Sequence, residues 1–335
     1  MLIRPVAIAL VAAVVALAGC GGGSRAKDPV SQVPEAGGLR AKVRAAQAVS
    51  ASDFPAAKGR TLQQIADGIG GGSLQAALAS SVFTVGGNRL AFGVIDGQGQ
   101  FVYGKTAVYV ATAPNRPARG PYVAPADVLL TQPAYRSKQA ATEQDPFSAI
   151  YATHVSFKRP GSYDVLVAST QAGKLTAAAT QIHVITKASD PIPEVGERPP
   201  SVATDTLASA KGDVSKIDTR QPPDDMHAVS FADVLGRKPV ALLFATPQLC
   251  QSRVCGPVTD VEAQMKAQYG DRMDFIHQEV YVGNDPRKGL REPLRRFHLR
   301  SEPWLFVVDR QGRITARLEG SIGVRAFEQA IQTAL

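Results

Sequence analysis

The sequence predicts a multidomain chain in which an all-β sandwich is followed by an α/β domain, and three observations carry that reading. From residue 74 onward apolar or β-branched side chains recur at every second position: Leu90, Phe92 and Val94; Tyr151, Thr153, Val155 and Phe157; Tyr163, Val165 and Val167. That is the period of a half-buried strand. Next, residues 188–200 carry Pro191, Pro193, Pro199 and Pro200, a composition that suits a linker. Beyond it, short apolar runs alternate with helical spacing, the order of a small α/β unit over residues 201–335.

At the N-terminus, Arg4 is followed by an uncharged apolar run from Pro5 to Ala18, then Gly19 and Cys20. A run this short, closed by small residues, reads as a secretory signal over residues 1–19 rather than a membrane span. Leu17-Ala18-Gly19-Cys20 resembles the lipobox of bacterial lipoproteins. The resemblance implies lipidation of Cys20, hence a chain anchored to the bacterial cell membrane on its extracytoplasmic face. Removing residues 1–19 lowers the formal charge from +8 to +7. Residues 20–60 then read as a flexible basic tether: Arg25, Lys27, Arg40, Lys42, Arg44, Lys58 and Arg60 outnumber Asp28, Glu35 and Asp53, with a short helix expected over Leu39 to Val49. Such a basic segment suits an anionic bilayer surface. From residue 201 onward 18 basic residues face 17 acidic ones, a balance that excludes nucleic acid as the partner.

Thr61 to Asp67 shows one turn of helical spacing, ended by Gly70. The strands of residues 74–187 are punctuated by turn signals at Gly86-Gly87-Asn88, Asp96-Gly97-Gln98-Gly99, Arg159-Pro160-Gly161 and Gln171-Ala172-Gly173, and predict an antiparallel sandwich. Pro160 to Val167 looks like the late strand of bacterial immunoglobulin-like modules, so the sandwich is expected to be immunoglobulin-like. In the α/β unit, Pro239 to Ala245 is a continuous apolar run, expected of a strand covered on both faces. Val258, Val261, Met265 and Tyr269 mark one face of a helix, Met273–Val282, Trp304–Asp309 and Ile314–Leu318 read as strands, and Val324–Leu335 as a closing helix.

Three stretches of this unit resemble the thioredoxin superfamily, above all its extracytoplasmic redoxin and TlpA-like branch: Val195 to Pro199, Val229 to Ala245, and Ser301 to Gly312. The resemblance implies a thioredoxin-like fold, redox chemistry at Cys250 and Cys255, and a cis-proline at Pro303 facing them. It implies no cofactor. Thioredoxins place two residues between their cysteines; this chain places four, Gln251, Ser252, Arg253 and Val254. A loop of that length still permits a disulfide. Two registers remain open. Counted from Phe244, Cys250 falls in the nucleophile position; counted from the helix, Cys255-Gly256-Pro257 matches the Cys-Gly-Pro of thioredoxins, and a helix N-terminus lowers a thiol's pKa. Arg253 adds positive charge favouring a thiolate.

The sequence thus points to a membrane-anchored thiol-disulfide oxidoreductase that exchanges disulfides with a client or electron-donor protein. Two alternatives stand beside it. One is a non-catalytic binding protein whose cysteines form a permanent staple. The other is a Sco-like copper-binding protein, in which His277 or His298 would have to approach the cysteine loop; no metal site is otherwise expected. His154, His183 and His227 read as packing or surface residues. A peroxidase reading fails because the threonine or serine and the upstream proline that peroxiredoxins place before the cysteine are not both present. The run Arg287, Lys288, Arg291, Arg295, Arg296 and Arg300 reads as a solvated face that could border the substrate cleft, and Trp304 as a packed side chain.

Overall fold

The computed structural model describes residues 28–70, 72–141 and 147–335. The signal segment and Cys20 lie outside the described residues. No helix among those described is long and apolar enough to cross a membrane.

Residues 28–60 depart from the tether expectation. Helix α1 (Leu39–Gln47) buries Val43 and Ala46, and Val30 and Val33 ahead of it are also buried. All four side chains join the core of the β unit, while Arg44 and Arg40 stay at the surface in ion pairs with Asp28 and Glu35. Four isolated apolar residues in a Gly/Ala/basic background look too few to fold alone, and they do not; they complete a core built by other strands. Helix α2 (Leu62–Ile69) starts at a capping box, with the Thr61 hydroxyl accepting from the Gln64 N–H and the Gln64 side chain accepting from the Thr61 N–H, and it ends at Gly70. Placing a carboxylate at Val43 (Val43→Asp) is expected to unfold this unit, read as loss of a cooperative urea transition, because the core offers that charge no partner.

The β unit has two sheets. Strands β1 (Gln75–Leu78), β2 (Phe83–Thr84), β3 (Gly86–Ile95), β4 (Thr106–Ala111), β5 (Arg119–Val123), β6 (Ala126–Val128), β7 (Ala149–Phe157), β8 (Gly161–Gln171) and β9 (Lys174–Ile185) arrange as β1-β3-β7-β6 and β2-β9-β8-β4-β5. One pairing corrects the antiparallel expectation: the two-residue β2 runs parallel to β9. Leu90, Phe92, Val155 and Phe157 of one sheet share a core with Val108, Val165, Val167 and Val184 of the other. The five-stranded sheet is covered on its far side as well, by Phe54, Leu62, Ile65 and Ile69 against Ala107, Tyr109 and Leu166.

In the C-terminal unit, α3 (Phe231–Val234), β10 (Val240–Phe244), α4 (Cys255–Tyr269), β11 (Asp274–Gln278), α5 (Glu292–Arg296), β12 (Trp304–Val308), β13 (Ile314–Glu319) and α6 (Val324–Gln332) form three layers. The sheet order is β11-β10-β12-β13, with β10 parallel to β11 and antiparallel to β12. Every residue of β10 is buried, as its unbroken apolar run requires. Ala241, Leu243, Leu305 and Val307 pack under α4 and α6; Leu242, Phe244, Trp304 and Phe306 pack on the opposite face against Phe231, Leu294 and Phe297.

The segment 188–200 is no free linker. Asp190 and Glu194 pair with Arg317 at 2.6 and 2.7 Å, and Ile192 is buried. The two units are docked directly. Asp127 of β6 accepts from the Arg325 and Ala326 N–H groups, so the first turn of α6 is capped from the other unit. Leu129 and Ile150 enter the core beneath α4 and α6. Approach is close enough that a Cβ at Gly320 would collide with the Ala79 carbonyl oxygen, a position whose φ of 77° also favours glycine.

Candidate functional site

Strand β10 delivers the chain into a turn, where the Cys250 N–H donates to the Thr246 carbonyl and the Arg253 N–H to the Cys250 carbonyl. Cys255 is the first residue of α4, and Pro257 sits in its first turn, where a missing N–H costs nothing. Gly256 between them is required by packing, since a Cβ there would strike the backbone of Gln139 in the β unit. The cysteine loop is thus seated against both units.

Both Cys250 and Cys255 are free thiols; Cys250 is 7% exposed and Cys255 fully buried. Their sulfurs and the Glu302 carboxylate lie within 4.8 Å of one another. The geometry separates the two cysteines, which the sequence left equivalent. Cys250 is pulled down to about 6, chiefly by a hydrogen bond from the Cys255 thiol, with burial opposing and the Ser252 hydroxyl and the Val254 and Cys255 N–H groups assisting. The Ser252 oxygen is 3.2 Å from the Cys250 sulfur. Cys255 is pushed well up by its burial and by its partner sulfur. The N–H groups that open α4 therefore serve Cys250, not the cysteine that begins the helix.

Pro303 immediately precedes β12, and the Glu302–Pro303 peptide is cis. Glu302 itself was not singled out by sequence. Burial, and then the nearby Cys250, raise its carboxyl to about 7. A proton can leave or return there near neutrality, next to two sulfurs that must exchange one. Its signal in the sequence was only its place beside the proline.

Ser252, Val254, Ser301 and Glu302 border a cleft of about 540 Å³. Its far wall comes from the β unit, with Phe83, Phe101 and Phe147 among its side chains. None of the six basic residues of the 287–300 run lines it. Arg291 is instead locked to Asp205, Asn284 and the carbonyls of Tyr281 and Lys216. Trp304 is packed, stacked on Phe306 with Arg317 over its ring and its N–H donated to Ser301.

The Sco-like arrangement is not formed. The third ligand-type group at the sulfurs is Glu302, whereas His277 gathers with Asp218, Asp224 and His227. His227, expected to be an ordinary packing or surface residue, is buried in that second cluster.

Among solved structures the chain is similar to a protein described as the thiol:disulfide interchange protein DsbE from Chlorobium tepidum, with 18% identity over 42% of this chain and 98% of that one, at a TM-score of 0.30. A thioredoxin family thiol:disulfide interchange protein from Chlorobium tepidum TLS matches with 16% identity over 42% of this chain and 97% of its own, at 0.29. A thioredoxin-like superfamily protein matches at 14% identity over 32% and 84%, at 0.24. No family model matches the chain. No curated protein matches it either.

Proposed function

We propose that the chain is a thiol-disulfide oxidoreductase that works through Cys250 and Cys255 and is anchored to the extracytoplasmic face of a bacterial membrane through Cys20. The carrying observation is the asymmetry of the pair: one sulfur at 7% exposure held as a thiolate, the other fully buried and protonated behind it. An inert staple has no use for that arrangement. The Cys250 thiolate attacks a sulfur of the client disulfide, forming a mixed disulfide and expelling one client thiolate, which takes a proton. Cys255 then gives its proton to Glu302 and attacks the Cys250 sulfur, releasing the second client thiolate. The client gains two electrons and the pair becomes a disulfide; with an oxidised pair and a dithiol client the same steps run backwards. The thioredoxin-like reading of this unit rests on its β10-α4 junction, its sheet order and cis-Pro303. The immunoglobulin-like reading of the β unit is supported by its two facing sheets, and we assign that unit the far wall of the client cleft.

Alkylation of Cys250 against pH, with the potential of the pair, tests the proposal. The labelling midpoint is expected near 6. Stabilising the thiolate stabilises the reduced form, so the potential is expected above the roughly −270 mV of thioredoxin. Unreactive sulfurs with a potential below about −300 mV would mark a structural staple instead. Glu302→Gln is expected to slow the second, resolving step by about 10- to 100-fold at neutral pH while leaving the labelling midpoint near 6, as seen by build-up of the mixed disulfide in quenched-flow samples.

A further inference from the structure

Behind the cysteine loop lies a second cluster that the disulfide chemistry does not use. Asp218, Asp224 and His227 come from one loop and His277 from β11, and one ligand atom from each lies within 4.8 Å of all the others. The His227 Nε2 is 3.4 Å from Asp224 Oδ1 and 3.6 Å from Asp218 Oδ2; the His277 Nδ1 is 2.8 Å from Asp224 Oδ2 and 3.9 Å from Asp218 Oδ1. Both carboxylates are fixed from behind by backbone N–H groups, Asp218 by Arg220 and Asp224, and Asp224 by Met226.

The geometry points to a buried site for a borderline divalent transition metal, Zn²⁺ fitting best, held by Asp218, Asp224, His227 and His277. Three observations converge. First, His227 is 3% exposed and neither ring nitrogen has a hydrogen-bond partner, although Nε2 faces two carboxylates. A buried imidazole left so is costly unless something else takes its lone pair. Second, the His277 Nε2–H donates to the Ala245 carbonyl at 3.1 Å, which leaves Nδ1 turned to the cluster. A backbone carbonyl holding the far nitrogen is how metal-binding histidines are oriented. Third, Glu262, also fully buried, has both carboxylate oxygens without partners, and it lies near enough to feel His277 and Asp224. Without a metal the cluster's cation is His277, whose Nδ1 proton is held by Asp224 at 2.8 Å; a divalent ion would displace that proton and offset the carboxylates in its place.

Two imidazoles and two carboxylates are nitrogen and oxygen donors suited to Zn²⁺ rather than to soft Cu(I). At metal–donor distances of about 2.0–2.1 Å a tetrahedral set keeps its donors about 3.3 Å apart; the histidine–carboxylate separations, each histidine facing a different oxygen of the two carboxylates, run from 2.8 to 3.9 Å. With no donor open to solvent the site is structural. It ties the 218–227 loop to β11 and, through Ala245, to the root of the cysteine turn.

The full chain, stripped with a chelator and dialysed against buffered Zn²⁺, is expected to retain about one equivalent by elemental analysis. His227→Gln and Asp224→Asn are each expected to weaken binding at least about tenfold, while the Cys250→Ser, Cys255→Ser double variant keeps it. Co²⁺ in its place is expected to give visible bands with no thiolate charge transfer. Failure to retain metal, or loss of it with the cysteines rather than the histidine, overturns the assignment and leaves the disulfide chemistry untouched. Should a variant not fold, the cysteine double variant and the Co²⁺ spectrum of the unaltered chain decide.

Discussion

Cys250→Ser is expected to abolish disulfide exchange, lowering the rate with a model client disulfide by about a thousandfold or more, because a hydroxyl in that turn is neither ionised near neutrality nor a comparable nucleophile. Cys255→Ser is expected to behave differently: the first attack survives, the mixed disulfide cannot be resolved, and the client stays covalently attached to Cys250. Non-reducing gels and intact mass distinguish the two. Trapping through Cys255 in a Cys250→Ser chain, with none through Cys250, would reverse the roles assigned by burial and hydrogen bonding. The same ionisation couples to stability. A thiol whose acidity is enhanced by folding contributes stability that is complete above the ordinary thiol range and is lost as pH falls through about 6. The reduced protein should therefore lose this contribution on acidification across that value.

Glu319→Ala is expected to loosen the docking of the two units, costing about 3–5 kcal/mol of unfolding free energy in urea titrations. Its carboxylate, on β13, accepts from the Ser81 and Val82 N–H groups and the Ser81 hydroxyl of the β unit, and from the Ser301 hydroxyl beside Glu302. Truncation leaves the Ser81 and Val82 N–H groups without this acceptor and removes several charge-assisted bonds at once. Because the Ser301 hydroxyl also receives the Trp304 N–H, the loss reaches the residues flanking cis-Pro303. A weakened client KM with an unchanged Cys250 labelling midpoint is the expected functional signature. A single cooperative transition that shifts by less than about 1 kcal/mol would show that the docking does not depend on this carboxylate.

The α/β unit was legible because its signals are local. An apolar run too continuous for anything but a covered strand marked β10, and Cys250, Cys255 and Pro303 carry their own identities. Glu302, Asp218 and His227 were not legible, since an acidic residue or a histidine in a polar stretch looks the same whether it meets water or another segment tens of residues away. The order of reactivity within the pair was hidden for a related reason. It depends on which sulfur is the more deeply buried and which receives the hydrogen bond of the other thiol, with Ser252 and the Val254 and Cys255 N–H groups assisting, and the four-residue spacing allows either. Residues 28–60 misled in the opposite direction: composition reports whether a segment can fold alone, and Val30, Val33, Val43 and Ala46 fold onto a surface made elsewhere.

The folding of that segment onto the β unit sets a length scale. If Cys20 carries the lipid, the leash between bilayer and folded body runs only from Cys20 to Asp28, and eight residues span at most about 29 Å when fully extended. A forty-residue tether would have let the catalytic end sweep a wide volume. Under the proposed lipid anchor, encounters would be confined to a shell near the lipid, and partners that share the membrane plane would meet the Cys250 thiolate at a raised effective concentration. Lengthening the leash with a Gly/Ser insert after Cys20 would then favour freely diffusing partners over membrane-bound ones, without altering any contact of the site.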